Sequence, residues 1–135
     1  MEKYEIELEI KSQQIFEEKK EEENNRCRGQ IEYKPKETKL QFVKNYEEQT
    51  LNFDIIITEN KVITKRNGQE MTFDLEKTTK SEMQTPYGNI KMYIKTNKID
   101  IRKEENKIKQ INLEYNINLE NEIQYLNKIN IKIEY

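Results

Sequence analysis

The 135-residue chain contains no histidine, no tryptophan and no alanine, a single cysteine (Cys27) and two serines (Ser12 and Ser81). Without histidine, a serine or cysteine nucleophile lacks its usual activating base, and imidazole metal sites are excluded. One cysteine cannot close an internal disulfide and fits a reducing compartment. The longest aliphatic run is Ile55-Ile56-Ile57, far below the roughly 20 apolar residues of a membrane helix, so no membrane insertion is expected. Met1 to Tyr4 lead straight into an alternating charged segment rather than an apolar stretch, so no export signal is read and a cytoplasmic location is expected. Charge of one sign is also missing: 24 basic and 26 acidic residues alternate along the chain, which leaves no strong field to attract nucleic acid. With 33% hydrophobic and 37% charged residues the composition approaches that of disordered chains. Leu, Ile, Val and Phe nevertheless make up 32 residues, enough for the one core that a chain of this length can build. A single domain spanning 1–135 is expected, and 19 Ile with 15 Asn and 20 Lys reflect AT-rich codons of bacterial type.

What is present is alternation. Apolar residues recur at every second position, the period of a strand with one buried face. The runs are Tyr4-Ile6-Leu8-Ile10, Ile31-Tyr33, Leu40-Phe42, Leu51-Phe53-Ile55-Ile57, Met71-Phe73-Leu75, Ile90-Met92-Ile94 and Ile99-Ile101. The longest come last, Ile111 to Leu119 and Ile129 to Tyr135. No stretch shows the i, i+3, i+4, i+7 pattern of a helix. Between the runs lie turn residues at Glu59-Asn60, Asn67-Gly68, Pro86-Tyr87-Gly88, Thr96-Asn97, Glu104-Glu105-Asn106 and Glu120-Asn121, with Asn67-Gly68 the strongest two-residue hairpin signal. Glu17 to Glu23 has no apolar face and reads as a hairpin tip in solvent. Short links make neighbours antiparallel, so the fold class is all-β, with eight to ten strands in a meander. Closure into an up-and-down barrel hides the edges and explains one-face alternation.

The segment Phe73-x4-Thr78-x2-Ser81-x-Met83-x-Thr85-Pro86-Tyr87-Gly88-x-Ile90-x-Met92-x-Ile94-x-Thr96 resembles the YwiB-like family of small bacterial β-barrel proteins, a domain of unknown function numbered 1934. The likeness continues through Lys98-Ile99 and Leu113-Glu114-Tyr115, with Gly29-x-Ile31-x-Tyr33 and Arg66-x-Gly68 fitting more loosely. Glu76, Met83 and Glu105-Asn106 depart from the family pattern. The resemblance implies a calycin-type, lipocalin-like barrel and brings no established activity.

Each candidate site has a plain structural counterpart. Thr85-Pro86-Tyr87-Gly88 has the residue types of a tight turn, and alternatively forms a pocket rim with Tyr87 as an amphipathic contact. Arg26 and Arg28 face water if the alternation holds, beside a Glu-rich neighbour. Arg66 shares parity with Val62 and Thr64, and an inward guanidinium would suit a carboxylate ligand, although it lies next to a turn. Cys27 reads as a small buried hydrophobe. Asp54, Asp74 and Asp100 have no metal-ligand spacing, and the glutamates alternate outward, so neither a metal, a cofactor nor carboxylate catalysis is expected. A lining of Ile, Leu, Phe, Met and Tyr argues for a packed interior, whereas ten strands, or splaying near Thr79, Ser81 and Thr85, would leave room for a ligand. Ile15, Val43, Ile56, Ile63, Tyr93, Ile108, Tyr125 and Leu126 break the alternation, through an outer-wall patch or through β-bulges. The leading expectation is a non-enzymatic barrel that binds a small apolar or amphipathic ligand at its open end through Tyr33, Phe42, Arg66, Met83 and Tyr87. The alternative is a solid barrel that pairs with a second copy or another protein through its outer wall.

Overall fold

The computed structural model describes residues 2–46, 48–120 and 123–135. Ten strands follow one another: β1 (Glu2–Phe16), β2 (Lys19–Tyr33), β3 (Thr38–Tyr46), β4 (Gln49–Ile57), β5 (Lys61–Arg66), β6 (Gln69–Asp74), β7 (Thr79–Thr85), β8 (Gly88–Glu104), β9 (Lys107–Leu119) and β10 (Gln124–Glu134). They form one antiparallel sheet in the order β6-β5-β4-β3-β2-β1-β10-β9-β8-β7. The first and last strands pair from Glu7↔Glu134 to Ile15↔Leu126, so the chain termini meet inside the sheet and its two ends fall at mid-chain.

Those two ends, β6 and β7, close the barrel without a strand ladder. The Thr79 hydroxyl donates to the Thr72 carbonyl at 2.5 Å and the Ser81 hydroxyl to the Glu70 carbonyl at 2.6 Å, while Gln69 Nε2 donates to the Glu82 carbonyl at 3.3 Å. Side chains thus supply the partners that a neighbouring strand would give. This seam sits where the sequence suggested splayed strands.

Most of the alternating residues share one interior; Leu75 does not, being 54% exposed in the turn after β6. Ile6, Leu8, Ile31, Leu40, Phe42, Ile55, Ile57, Val62, Phe73, Ile94, Ile108, Ile111, Leu113, Ile131 and Ile133 are all buried in a single cluster. At roughly 25 cal/mol per Å² of apolar surface, this burial is the main force holding strands whose outer faces are charged. Phe73 on β6 reaches Tyr115 on β9 with ring centroids 4.5 Å apart, so the lumen is spanned by side chains. Gly29 is required where β2 meets β3, because a Cβ there would lie 2.9 Å from Phe42 Cβ and 3.2 Å from Leu8 Cδ1, and closer still to the Gln41 carbonyl oxygen.

The turns follow the sequence signals in most places. Asn67 and Gly68 both take positive φ in the β5–β6 hairpin, as do Glu105 and Asn106 between β8 and β9. The β1–β2 hairpin turns at Glu17 and Glu18, with φ of +56° at Glu17, and its acidic arm is exposed as expected. Thr96-Asn97 is different: β8 runs straight through it, and Asn97 is an extra residue between the Thr96↔Tyr115 and Lys98↔Glu114 pairs. A bulge uses the same tolerant residue type as a turn, and periodicity resumes on the far side at Ile99. Of the Glu120-Asn121 turn signal, Asn121 lies outside the described residues.

Both explanations of the irregular apolar residues hold, for different residues. Ile108 is buried, brought inward by a second register shift between Arg102 and Lys103 that leaves Lys109 unpaired. Ile56 and Ile63 face each other on the outer wall, as do Ile15 and Leu126, and Val43 is 48% exposed.

Candidate binding site in the lumen

The end of the barrel carrying the β1–β2 and β5–β6 turns is called upper here. The opposite, lower end is plugged. The Tyr33 hydroxyl accepts from the Ile108 N–H at 2.8 Å, and the Tyr135 hydroxyl donates to the Ile108 carbonyl at 2.8 Å. The two hydroxyls are bonded to each other, so Tyr33 donates to Tyr135. Two tyrosines therefore satisfy both backbone groups of the residue beside the Lys109 bulge. Tyr4 packs edge-on against both rings, and Lys107 Nζ sits 4.4 Å from the centre of the Tyr4 ring. Burial, followed by the bond to Tyr33, pushes the Tyr135 phenol well above its ordinary pKa.

Above this plug the lumen changes character. Strand register places Gln14 opposite Asn127, Asn127 opposite Tyr115 and Tyr115 opposite Thr96, so four polar residues form one continuous inward row across β1, β10, β9 and β8. The row is bordered by apolar rows, with Ile129, Leu113 and Ile99 on one side and Tyr125, Ile117 and Ile94 on the other. It runs obliquely, from half-exposed Gln14 near the upper rim to buried Thr96. Gln14 Nε2 donates to Asn127 Oδ1 at 3.3 Å. Among the described residues, two atoms of the row have no partner: Thr96 Oγ1 and Asn127 Nδ2, on side chains 6% and 8% exposed. Native interiors rarely leave such groups unpaired, because each costs about 1–3 kcal/mol. Burial pushes the Tyr115 phenol up to about 12, and the charge of Arg66 opposes that rise.

The five residues singled out from sequence divide between the two ends. Arg66 faces Phe53 across the ladder, and Phe53 stacks on Phe42 with ring centroids 4.9 Å apart, so Arg66 shares the face of buried Phe42 but is itself exposed at the upper end of β5 and not inside the lumen. Among the described residues Arg66 makes no ion pair. Met83 lies opposite Ile90 near the upper rim, half-buried. Tyr33 is in the lower plug and is not brought together with these three. Tyr87 is fully exposed at the tip of the β7–β8 turn, where Thr85 Oγ1 accepts from the Tyr87 N–H at 3.2 Å and donates to the Gly88 carbonyl at 2.6 Å, the geometry of a turn and not of a pocket rim. Sequence reasoning missed Gln14, Thr96 and Asn127. Only Tyr115 of the row lies in an apolar run, and the alignment of the four depends on the Asn97 bulge and on β1–β10 pairing.

Elsewhere on the inward face, Cys27 is half-buried beside Lys44; burial raises its thiol and Lys44 opposes the shift. Lys44 Nζ lies 3.7 Å from Glu23. Arg26 and Arg28 face water as expected, 3.6 Å from Glu9 and 3.9 Å from Glu7. Among the described residues no group of three or more His, Cys, Asp or Glu is placed to hold a metal ion, and no helix is long and apolar enough to cross a membrane.

The chain is similar to the crystal structure of YwiB protein from Bacillus subtilis, with a TM-score of 0.75 and 15% sequence identity over 98% of this chain and 94% of that one. No curated protein matches the sequence. The model of the family described as a domain of unknown function, DUF1934, matches residues 8–133. With this match over nearly its whole length, the chain belongs to the DUF1934 family.

Proposed function

We propose that the barrel is a non-enzymatic binder of a small amphipathic molecule, whose polar end meets the row Gln14, Asn127, Tyr115 and Thr96 and whose apolar part lies along the upper wall. The observation that carries this reading is the pair of unpartnered polar atoms on buried side chains of the inward row. Valine or leucine would fill the same space without a desolvation cost, so polar side chains there fit a partner that arrives from outside. Asn127 Nδ2 is a donor and Arg66, at the upper end, a cation, so the favoured head group is an acceptor, neutral or anionic. Arg66, Phe42 and Met83 are contacts of this site. Tyr33 and Tyr87 serve the plug and the turn.

The test is a panel of twelve-carbon amphiphiles that differ only in head group, followed by native mass spectrometry and tyrosine fluorescence. Dodecanoate and dodecanol bind and dodecyltrimethylammonium does not if the reading holds; no binding by any, or equal binding by the cation, contradicts it. Thr96→Val sharpens the test, because removing the unpaired hydroxyl at nearly constant shape stabilises the free protein by about 1 kcal/mol while weakening dodecanoate binding. Loss of stability in this variant shows that the hydroxyl belongs to the fold.

A further inference from the structure

Among the described residues several stretches of the sheet lack a ladder on one side; the short ones at residues 2–6 of β1 and 49–52 of β4 span five residues or fewer, and three longer ones are not equivalent. At the β6–β7 seam, hydroxyls from β7 already occupy carbonyls of β6. Below the Thr79↔Ile94 pair, β8 is paired only with β9, but bulges at both ends of that stretch interrupt its regularity. Bulges of this kind twist an edge away from partners. The third stretch has neither protection. β2 pairs with β1 along its whole length, from Glu2↔Tyr33 to Phe16↔Lys19, without a register shift, yet it meets β3 only from Gly29↔Phe42 to Tyr33↔Thr38. Among the described residues Lys19 to Arg28 thus form a regular ten-residue edge without a ladder to a second strand, reached from β3 by the Lys44 side chain at Glu23.

Alternation in an antiparallel ladder determines which backbone groups are free. The two-residue turn closes on Phe16 and Lys19, so odd residues of β2 bond to β1 and the even residues, Lys20, Glu22, Asn24, Arg26 and Arg28, turn their N–H and C=O groups outward. Where β2 and β3 part there is a notch of about 470 Å³, lined by Arg28, Gly29, Val43 and Asn52 among others. Val43, one of few exposed large apolar residues, lies in it.

The charges along this edge are self-complementary. From residue 21 it reads Glu-Glu-Glu-Asn-Asn-Arg-Cys-Arg, with acids on one side of two asparagines and arginines on the other. A two-fold axis between antiparallel strands must pass through a residue facing its own copy. Placed on Glu22, Glu23 or Arg26, the axis brings like charges together, which is destabilising. Placed on Asn25, it sets Glu22 against Arg28 and Asn24 against Arg26 of the other copy, twice each; placed on Asn24, it sets Glu22 against Arg26 but also Lys20 against Arg28, a like-charge pair, which leaves Asn25 the better axis. The Arg26 and Arg28 side chains are 81% and 87% exposed and hold only long ion pairs, so they are available.

We infer that the free upper edge of β2 pairs antiparallel with the same edge of a second copy, joining two barrels into one continuous sheet about an axis at Asn25. The interface is isologous, so it closes at two copies and does not propagate into a fibre. It is separate from the lumen, and ligand binding can fail while this pairing stands.

Light scattering on size-exclusion fractions over a concentration series tests the inference. The intact chain gives a species of twice 16.5 kDa, and Asn24→Pro returns it to the single-chain mass. Proline removes an N–H that faces the partner, and edge strands tolerate it, so the melting temperature of the separated chain serves as the folding control. With Cys27→Ser as background, Asn25→Cys forms a disulfide-linked pair on mild oxidation, whereas Asn45→Cys does not. A chain that stays single at millimolar concentration, a pair that survives Asn24→Pro, or absence of cross-linking in Asn25→Cys overturns the inference.

Discussion

Gly29 is the position at which the fit between strands is tightest, and substitution by alanine gives a sharp test of the packing. The new Cβ would lie 2.9 Å from Phe42 Cβ and 3.2 Å from Leu8 Cδ1, with the Gln41 carbonyl oxygen nearer than either. The side-chain atoms can yield, but the carbonyl belongs to β3, whose ladder with β2 is only five pairs long and begins at this residue. Overpacking of a well-filled core costs about 1–3 kcal/mol. The smaller conformational entropy of unfolded alanine returns about 0.4–1 kcal/mol, so the net loss is about 1.3 kcal/mol. For 135 residues the entropy of unfolding is about 0.28 kcal/mol per kelvin, and the melting temperature falls by about 5 °C. Circular dichroism at 215 nm, near the usual far-ultraviolet minimum of about that wavelength for strands, follows the melt, with urea unfolding as a check on the slope. An unchanged or raised melting temperature refutes the close approach of β2 and β3.

Other outcomes follow from the same structure. Tyr33→Phe leaves the buried Ile108 N–H without its acceptor and lowers stability by about 1–3 kcal/mol in urea unfolding, while dodecanoate affinity stays unchanged under the proposed function, which places no ligand contact in the plug. Tyr115 titrates near 12 in the folded chain against 10.0 unfolded, so the unfolded state loses its proton first. Its share of stability is complete below pH 10, falls between about pH 10 and 12 and is gone above that; Tyr115→Phe makes the urea midpoint flatter across this window. Glu105 holds a φ of +51°, which strains any residue with a Cβ, and Glu105→Gly raises stability by about 1 kcal/mol in thermal melts.

The barrel was legible because nearly every strand carries its own period-2 record. Runs such as Ile111 to Leu119 state their inward face without reference to any neighbour, and Asn67-Gly68 states its turn. Bulges were not legible: Asn97 has the chemistry of a turn, and the flip that buries Ile108 shows only as broken alternation. The site was harder still. Arg66, Phe42 and Met83 share a parity that sequence supplies, but parity does not say at which end of the barrel a residue lies, so sequence alone does not separate Tyr33 from residues at the opposite end. Gln14, Asn127, Tyr115 and Thr96 are distant in sequence and become neighbours only through three strand registers. A polar residue at an inward position looks like an outward one until the register is known.

The central claim is that the lumen is solid below and receptive along its polar row. Isoleucine methyl NMR during a dodecanoate titration tests it most directly, since 19 isoleucines sample the lower core, the row and the outer wall. The account predicts shifts at Ile94, Ile99, Ile117 and Ile129, which border the row, and none at Ile31, Ile55 or Ile57 in the lower core or at Ile56 and Ile63 outside. Shifts confined to Ile56 and Ile63, or no shifts at saturating ligand, would contradict it.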